Sequence, residues 1–416
     1  MTTEKRMTTE KPKTLEEQMA ALSPLAAEII SERELRRNIE RSVESGEPLR
    51  IKQGIDPTTP DVHLGHMVPY RLMRRFQDCG HIAVLIIGDI TARIGDPTGR
   101  DSERAALSEQ EVRRNADTYT DQIFRVVDRS RAEVRRQSEW FVQMDLPRTL
   151  ELLSEFSVAQ MLAHQTFRER LDGGRRLSLH ELVYPLLQAQ DSVEVAADVE
   201  IGGSDQKFNM LCGRDLLRSY GRKPQVVVTT PLLPGTDGRK MSKSFGNHIP
   251  VTCSPVDMYG AVMSLADEWM PEFYQLATDT SPEHIRTVMR RLKDGAVHPR
   301  AVKAELASLI VTRYHGESTA DAAAREFDRV LRDGGMPSTV SEVMVEDVSL
   351  PLASVLRDAG VVESAAEARR LIRQGGVTCG DVRVADPGAE VAQFLGSDGT
   401  TLVRVGKRRF VRLRHR

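Results

Sequence analysis

Residues 49–66 read LRIKQGIDPTTPDVHLGH. The stretch opens on an aliphatic run, Leu49 to Ile55, continues through Asp56, Pro57 and the Pro60–Asp61 pair, and ends on His63-Leu64-Gly65-His66. A short apolar run that gives way to turn residues and then a helix start reads as a buried strand feeding a helix. Two more such runs, Ile82 to Ile87 and Val226 to Thr230, are each followed by Gly, Asp or Pro, and long helical stretches separate them. This pattern predicts an α/β fold with a doubly wound, mostly parallel, Rossmann-like sheet. Ligands of such sheets lie at the carboxyl ends of the strands, so the same stretch that sets the fold is expected to carry chemistry.

Pro60 and Asp61 are start signals for the helix that follows. His63 and His66 stand three apart, which puts both rings on one face of its first turn, at the positive end of the helix dipole. That is a place for a polyphosphate, and Gly65 between them lets an adenine or ribose approach the backbone. An isolated H-x-x-H is more often a cap or a surface pair. A second constellation changes that weighting: Gly238 to Asn247 reads GRKMSKSFGN, just beyond the strand Val226 to Thr230 and a Pro-Gly-Thr-Asp-Gly turn. Lys240 and Lys243 on such a small, glycine-flanked loop can close over a triphosphate and neutralise charge as pyrophosphate leaves.

A third stretch, Leu179 to Asp205, reads LHELVYPLLQAQDSVEVAADVEIGGSD, a helix leading to a short strand and a diglycine. Tyr184, Gln188 and Asp191 fall at i, i+4 and i+7, so a phenol, an amide and an acid share one face among leucines. They could line an apolar slot for an aromatic ring that ends in a hydroxyl. The plainer reading is an amphipathic helix with a wet polar face.

The rest of the chain sets bounds. Its 416 residues allow two or three domains, and 58 Lys+Arg against 60 Asp+Glu leave a net charge of −2, so a nucleic-acid site would have to be a local basic patch. Cys79, Cys212, Cys253 and Cys379 show no C-x-x-C spacing, which points to neither a disulfide framework nor a metal site and suits a reducing cytoplasm. No apolar run is long enough to span a bilayer, and the polar start MTTEKRMTTEKPK is unlike an export signal, so a soluble cytoplasmic protein is expected. Thr14 to Glu47 reads as helical. Beyond Pro255 helices take over, with Ser281-Pro282 opening one that ends at Gly295 and further apolar stripes up to Gly316 and Gly334. From Leu350 the composition changes again. Residues 404–416 hold Arg404, Lys407, Arg408, Arg409, Arg412, Arg414 and Arg416 with no acid. Four parts are expected: an N-terminal helical leader over 1–48, the Rossmann-like domain with an insertion over 49–255, a helical domain over 256–340 and a small basic α+β domain over 350–416.

Together the two motifs HLGH and KMSKS, some 175 residues apart and in this order, resemble those of class I aminoacyl-tRNA synthetases, and the remaining pattern resembles the bacterial tyrosyl branch of that family almost from end to end. The resemblance implies a ligase that adenylates L-tyrosine with ATP and Mg²⁺ and passes it to tRNA(Tyr) as a homodimer, with the dimer formed through the insertion and with no resident metal. It implies catalytic roles for His63, His66, Thr58, Lys240 and Lys243, and pyrophosphate contacts for the basic residues Arg100 and Arg104. It assigns Tyr184, Gln188 and Asp191 to the substrate amino group and ring hydroxyl, Thr91, Asp96 and Asp56 to the ammonium, Asp205 and Gln206 to ribose and carboxylate, and Gly65 and Lys243 to ATP. The first strand carries Lys52 where the other tyrosyl branch has tyrosine, which implies a place for Lys52 near the ring hydroxyl. The tail resembles an RNA-binding domain shared with a ribosomal protein, and implies RNA contacts for Arg369, Arg370, Arg373, Lys407, Arg408 and Arg409. Gln53, Gln190 and the Ala92–Arg93 pair depart from the family's pattern. They leave room for a specialised paralogue acting on a modified tyrosine or resisting an inhibitor. A non-catalytic RNA-binding descendant is a further alternative.

Overall fold

The computed structural model describes residues 13–97, 107–332, 340–362, 364–406 and 409–415. The chain forms two compact units, residues 1–316 and 317–416.

The first unit is organised by a six-stranded sheet made of β1 (Glu28–Ile30), β2 (Arg50–Ile55), β3 (Ile82–Ile87), β4 (Ala132–Arg136), β5 (Val199–Gly203) and β6 (Val226–Thr230) in the order β1-β6-β5-β2-β3-β4. All neighbours are parallel except β1, which runs antiparallel to β6. The three aliphatic runs legible in the sequence are β2, β3 and β6. Every residue of β6 and nearly all of β3 are buried, as continuous apolar strands covered on both faces must be. The strand order reverses between β2 and β5, with Lys52 beside Glu200 in register, and here the sheet opens a crevice at its carboxyl edge.

Two elements differ from the sequence-based expectation. The stretch 14–47, which reads as helical, is interrupted: Leu15–Leu22 is followed by a turn at Ser23–Leu25, by β1, and then by the helix Glu32–Ser45. Pro24 cannot donate to the helix ladder, and the released backbone pairs along the sheet edge instead, Ala27 N donating to Thr229 O at 2.7 Å. Strand β4, whose sequence AEVRR is largely charged, gives no apolar signal because it lies at the other edge. It is held by β3 and by Arg50, whose guanidinium grips Glu133 with two bonds of 2.7 and 2.8 Å.

The helix Leu64–Gln77 follows β2, with His63 as its N-cap. Its far end is tied to the helices that complete the unit. Buried Arg71 donates to Thr278 O and, at 2.9 Å, to Asp279, which also accepts from Arg75 at 3.0 Å and from Arg313. The helices Pro255–Met263, Met270–Ala277, Pro282–Lys293 and Pro299–His315 all belong to this unit.

The second unit begins with the helix Glu317–Arg332 and holds β7 (Ser341–Val345), β8 (Val377–Cys379), β9 (Val382–Arg383), β10 (Thr400–Val405) and β11 (Arg409–His415) in the order β7-β11-β10-β8-β9. The helices Leu352–Asp358 and Ala365–Arg373 pack Leu352, Leu356 and Ile372 with Val377, Val403, Val411 and Leu413 into its core. Period-two alternation in β11 turns Val411 and Leu413 inward and Arg412 and Arg414 outward, so these two arginines of the basic tail share one face of the sheet.

Removing Asp279 leaves Arg71 buried without its counter-charge. Asp279→Ala should lower the stability of the first unit by about 2 kcal/mol, read by urea unfolding, whereas Asp121→Ala, at a fully solvent-facing ion pair, should stay within about 0.5 kcal/mol.

Candidate active site

A cavity of about 750 Å³ opens at the carboxyl ends of β2, β3 and β5, between the helices Leu64–Gln77 and Leu179–Glu194 and the loop around 240–248. It collects residues from Gln53 to His248, 195 positions apart in sequence. Its lining includes Asp56, Thr58, His63, Gly65, His66, Thr91, Asp96, Tyr184, Gln188, Asp191, Asp205, Gln206, Lys240 and Lys243. Thus the three constellations read from the sequence face one space.

One end is small, buried and acidic. Asp191 is almost wholly buried and accepts from Gln137 Nε2 at 2.8 Å and Trp140 Nε1 at 3.2 Å. Burial raises its carboxyl to about 7, against the opposing pull of Lys52 and of these two donors. Gln137 also fixes Thr91, whose hydroxyl donates to Asp56 at 2.7 Å, and the Tyr184 hydroxyl donates to the other oxygen of Asp56 at 2.9 Å. Next to them Gln206 donates to Asp96 at 2.6 Å. Gly88 makes this arrangement possible: a β-carbon there would stand 2.2 Å from the Asp56 carboxylate and 2.5 Å from the Thr91 hydroxyl. The result is a carboxylate-lined recess suited to a cation beside an aromatic slot.

The other end is shaped for phosphate. The rings of His63 and His66 stack at 3.6 Å between centroids, as their three-residue spacing on the first helical turn requires. Gly65 is packed against this stack, because a β-carbon there would come within 3.1 Å of the His63 ring. Burial lowers His63 to about 2, with neighbouring His66 adding to the effect, and lowers His66 to about 4. Both are therefore neutral at physiological pH, and act as hydrogen-bonding groups on a helix N-terminus and not as cations. The positive charge comes from the lysines. Lys240 donates to Asp205 at 2.8 Å, and Lys243 stands 3.9 Å from Asp61, both half-exposed. Asn247 braces this loop from within, accepting from Ser242 N at 2.8 Å and donating to Asp237 at 2.7 Å and Lys240 O at 3.2 Å.

Lys52 is placed differently. It lies behind the cavity wall, completely buried, with its ammonium bonded to Gln188 O, Ser192 and Glu200. Arg100 and Arg104 fall outside the described residues, as do Lys407 and Arg408. In the second unit Arg369, Arg370 and Arg373 are exposed on one helix, and Arg409 is paired with Glu367 at 3.1 Å. Gln137 and Trp140 were not legible in the sequence, because they follow the charged edge strand β4 and carry no local motif. Gln53, singled out only as a departure from the family's pattern, also lines the cavity, its buried Oε1 without a hydrogen-bond partner among the described residues.

Comparison with known proteins gives the family and the fold. The model of the family described as tRNA synthetases class I (W and Y) matches residues 44–332, and the S4 domain model matches residues 350–393. A tyrosine–tRNA ligase of Desulfotalea psychrophila is 42% identical over 96% of this chain and 98% of its own. One from Moorella thermoacetica is 44% identical over 95% of each. Among solved structures, a C-terminally truncated mitochondrial tyrosyl-tRNA synthetase of Coccidioides posadasii covers 74% of this chain and 91% of its own, with a TM-score of 0.61 at 24% identity, which speaks for the fold.

The raised Asp191 has a signed consequence for stability. The folded chain keeps a proton that the unfolded chain releases near 3.8, so this group's stabilising contribution is complete at low pH and is lost as the pH rises through about 7. Asp191→Asn removes that titration. The melting temperature of the variant relative to the unmodified protein should therefore climb between pH 5 and pH 8, and a flat difference would contradict the burial of an ionising carboxyl.

Proposed function

This chain belongs to the class I tRNA synthetases of the tryptophan and tyrosine family, and we propose that it is a tyrosine–tRNA ligase, joining L-tyrosine to ATP as tyrosyl-adenylate and passing the tyrosyl group to the terminal ribose of tRNA(Tyr). The observation that carries this reading is the polarity of a single cavity, with a buried Asp191 and an acidic recess at one end and a histidine-capped helix with two lysines at the other.

In this reading the phenol ring occupies the slot under the helix Leu179–Glu194, its hydroxyl meeting Asp191 and its ammonium meeting Asp56, Asp96, Thr91 and Gln188. An aromatic amino acid without the hydroxyl would leave Asp191 buried and short of a partner, which is how such a slot rejects it. The substrate carboxylate then attacks the α-phosphorus of ATP while the bond to pyrophosphate breaks. Because the carboxylate is itself the nucleophile, catalysis is positioning and charge stabilisation. Neutral His63 and His66 donate hydrogen bonds to phosphate oxygens, with Thr58 close by, while Lys240 and Lys243 leave Asp205 and Asp61 for the departing pyrophosphate. Arg100 and Arg104 would join them there. Gly65 admits the nucleotide to the helix N-terminus, and Asp205 and Gln206 take ribose and carboxylate. Mg²⁺ would come to the site with the ATP phosphates and neutralise part of their charge there.

The exposed arginines of the second unit, Arg369, Arg370 and Arg373, with Arg412 on β11, fit phosphate and shape recognition of folded RNA. Self-association has support of its own: Val142, Leu146, Leu150, Val158 and Leu179 are large apolar side chains left exposed in the segment between β4 and β5, with Leu179 80% and Val142 73% accessible. Among the described residues no helix is long and apolar enough to cross a membrane. A cytoplasmic enzyme is the reading that ATP and tRNA as substrates support.

Amino-acid-dependent exchange of pyrophosphate into ATP tests the substrate directly: exchange with tyrosine alone is expected, and exchange only with another amino acid would overturn the assignment. In the same assay Lys240→Ala or Lys243→Ala should lower kcat by roughly 10²-fold while the tyrosine KM moves only a few-fold. For the homodimer, Leu146→Asp with Val142→Asp should shift the sedimenting species to a monomer, and an unchanged dimer would remove this surface from the interface.

A further inference from the structure

Behind the wall of the substrate recess lies a buried ion pair at the centre of a polar cluster. Lys52 on β2 and Glu200 on β5 are 0% and 1% exposed and pair at 2.9 Å across the two strands where the strand order reverses. The Glu200 carboxylate accepts four donors: Lys52 Nζ at 2.9 Å and Gln188 Nε2 at 3.1 Å on one oxygen, Ser192 Oγ at 2.9 Å and Gln225 Nε2 at 2.8 Å on the other. Lys52 Nζ is likewise saturated by Gln188 O and Ser192 Oγ, each at 2.8 Å, in addition to Glu200. Space for the cluster depends on Gly213, where a β-carbon would stand 2.5 Å from Gln225 Nε2. An ion pair buried this deeply costs desolvation that a pair of apolar residues would avoid. It needs a further reason to be there.

The reason lies in what an ionised carboxylate can do to an amide. It can only accept, so it selects the NH₂ of Gln188 and turns the other end of that amide, the carbonyl oxygen, away from itself. Gln188 lines the cavity, and its carbonyl is thereby presented to the recess as an acceptor. We infer that Glu200 is a positioning residue: held by Lys52, it fixes the Gln188 amide with oxygen toward the substrate, so that the site selects an ammonium group. The inference rests on the tyrosine-ligase reading, since it gives Gln188 the substrate's ammonium as its ligand.

Two double variants isolate the effect, because both remove the lysine and leave the interior uncharged, a change that cores tolerate. Lys52→Met with Glu200→Leu leaves Gln188 no acceptor; Lys52→Met with Glu200→Gln retains one carbonyl oxygen for it. In the leucine pair the KM for tyrosine should rise roughly 10- to 100-fold, as expected for one lost charge-assisted contact, with kcat within about threefold. The inhibition constant of 3-(4-hydroxyphenyl)propanoate, which is tyrosine without its ammonium, should not move. The glutamine pair should recover most of the loss. An unchanged KM in the leucine pair, an equal loss for tyrosine and the analogue, or no recovery with glutamine would each overturn the inference. Where the leucine pair does not fold, the unmodified protein decides: the Gln188 side-chain NH₂ resonance, assigned by its absence in Gln188→Met, should exchange with solvent slowly, and exchange at the rate of a free amide would refute the orientation. An unmodified protein that does not turn over tyrosine at all would count against the substrate, while that NH₂ measurement would still judge Glu200.

Discussion

A lysine without solvent must be neutralised where it stands, and the Lys52–Glu200 pair does this across the two central strands of the sheet. Much of the catalytic unit follows from satisfying it. Ser192 and Gln188 are drawn to the pair from the helix Leu179–Glu194, which fixes that helix over β2 and β5. Gln225 reaches it from just before β6, and Gly213 gives it room on the helix between. Strand order and side-chain chemistry meet at one point, and the substrate recess is the space left on the near side of that cluster.

The cavity then divides its electrostatic labour by burial. Where the surroundings are driest the titratable groups are pushed toward neutrality, Asp191 upward and His63 and His66 downward. Fixed charge is left to the half-exposed lysines, which are already engaged by Asp205 and Asp61. In the proposed reaction, neutral donors held at a helix N-terminus would need no reorganisation as charge develops on phosphate, whereas the lysines sit on a loop. Asn247 gives that loop a defined base without holding the lysine side chains themselves.

How far the sequence could be read depended on whether the signal was local. The buried strands β2, β3 and β6 announced themselves because strands covered on both faces must be apolar throughout. Edge strands escape that requirement, so β1 and β4 were hidden, and with β4 went Gln137 and Trp140, the donors that hold Asp191. Family pattern brought most of the cavity lining together, from Asp56 to Lys243, yet it placed Lys52 beside the substrate, while the fold sets it behind the wall.

By itself the sequence determined the α/β class, the HLGH and KMSKS motifs and the face shared by Tyr184, Gln188 and Asp191, because each depends on spacing within one element. The basic tail, too, was visible as composition. Only the tertiary structure decided which groups are charged, which amide end faces the cavity, and which polar residues support others from outside it. Those properties arise from burial and from partners 50 to 150 residues away, such as Gln137 with Asp191 or Lys52 with Glu200, and no local spacing encodes them.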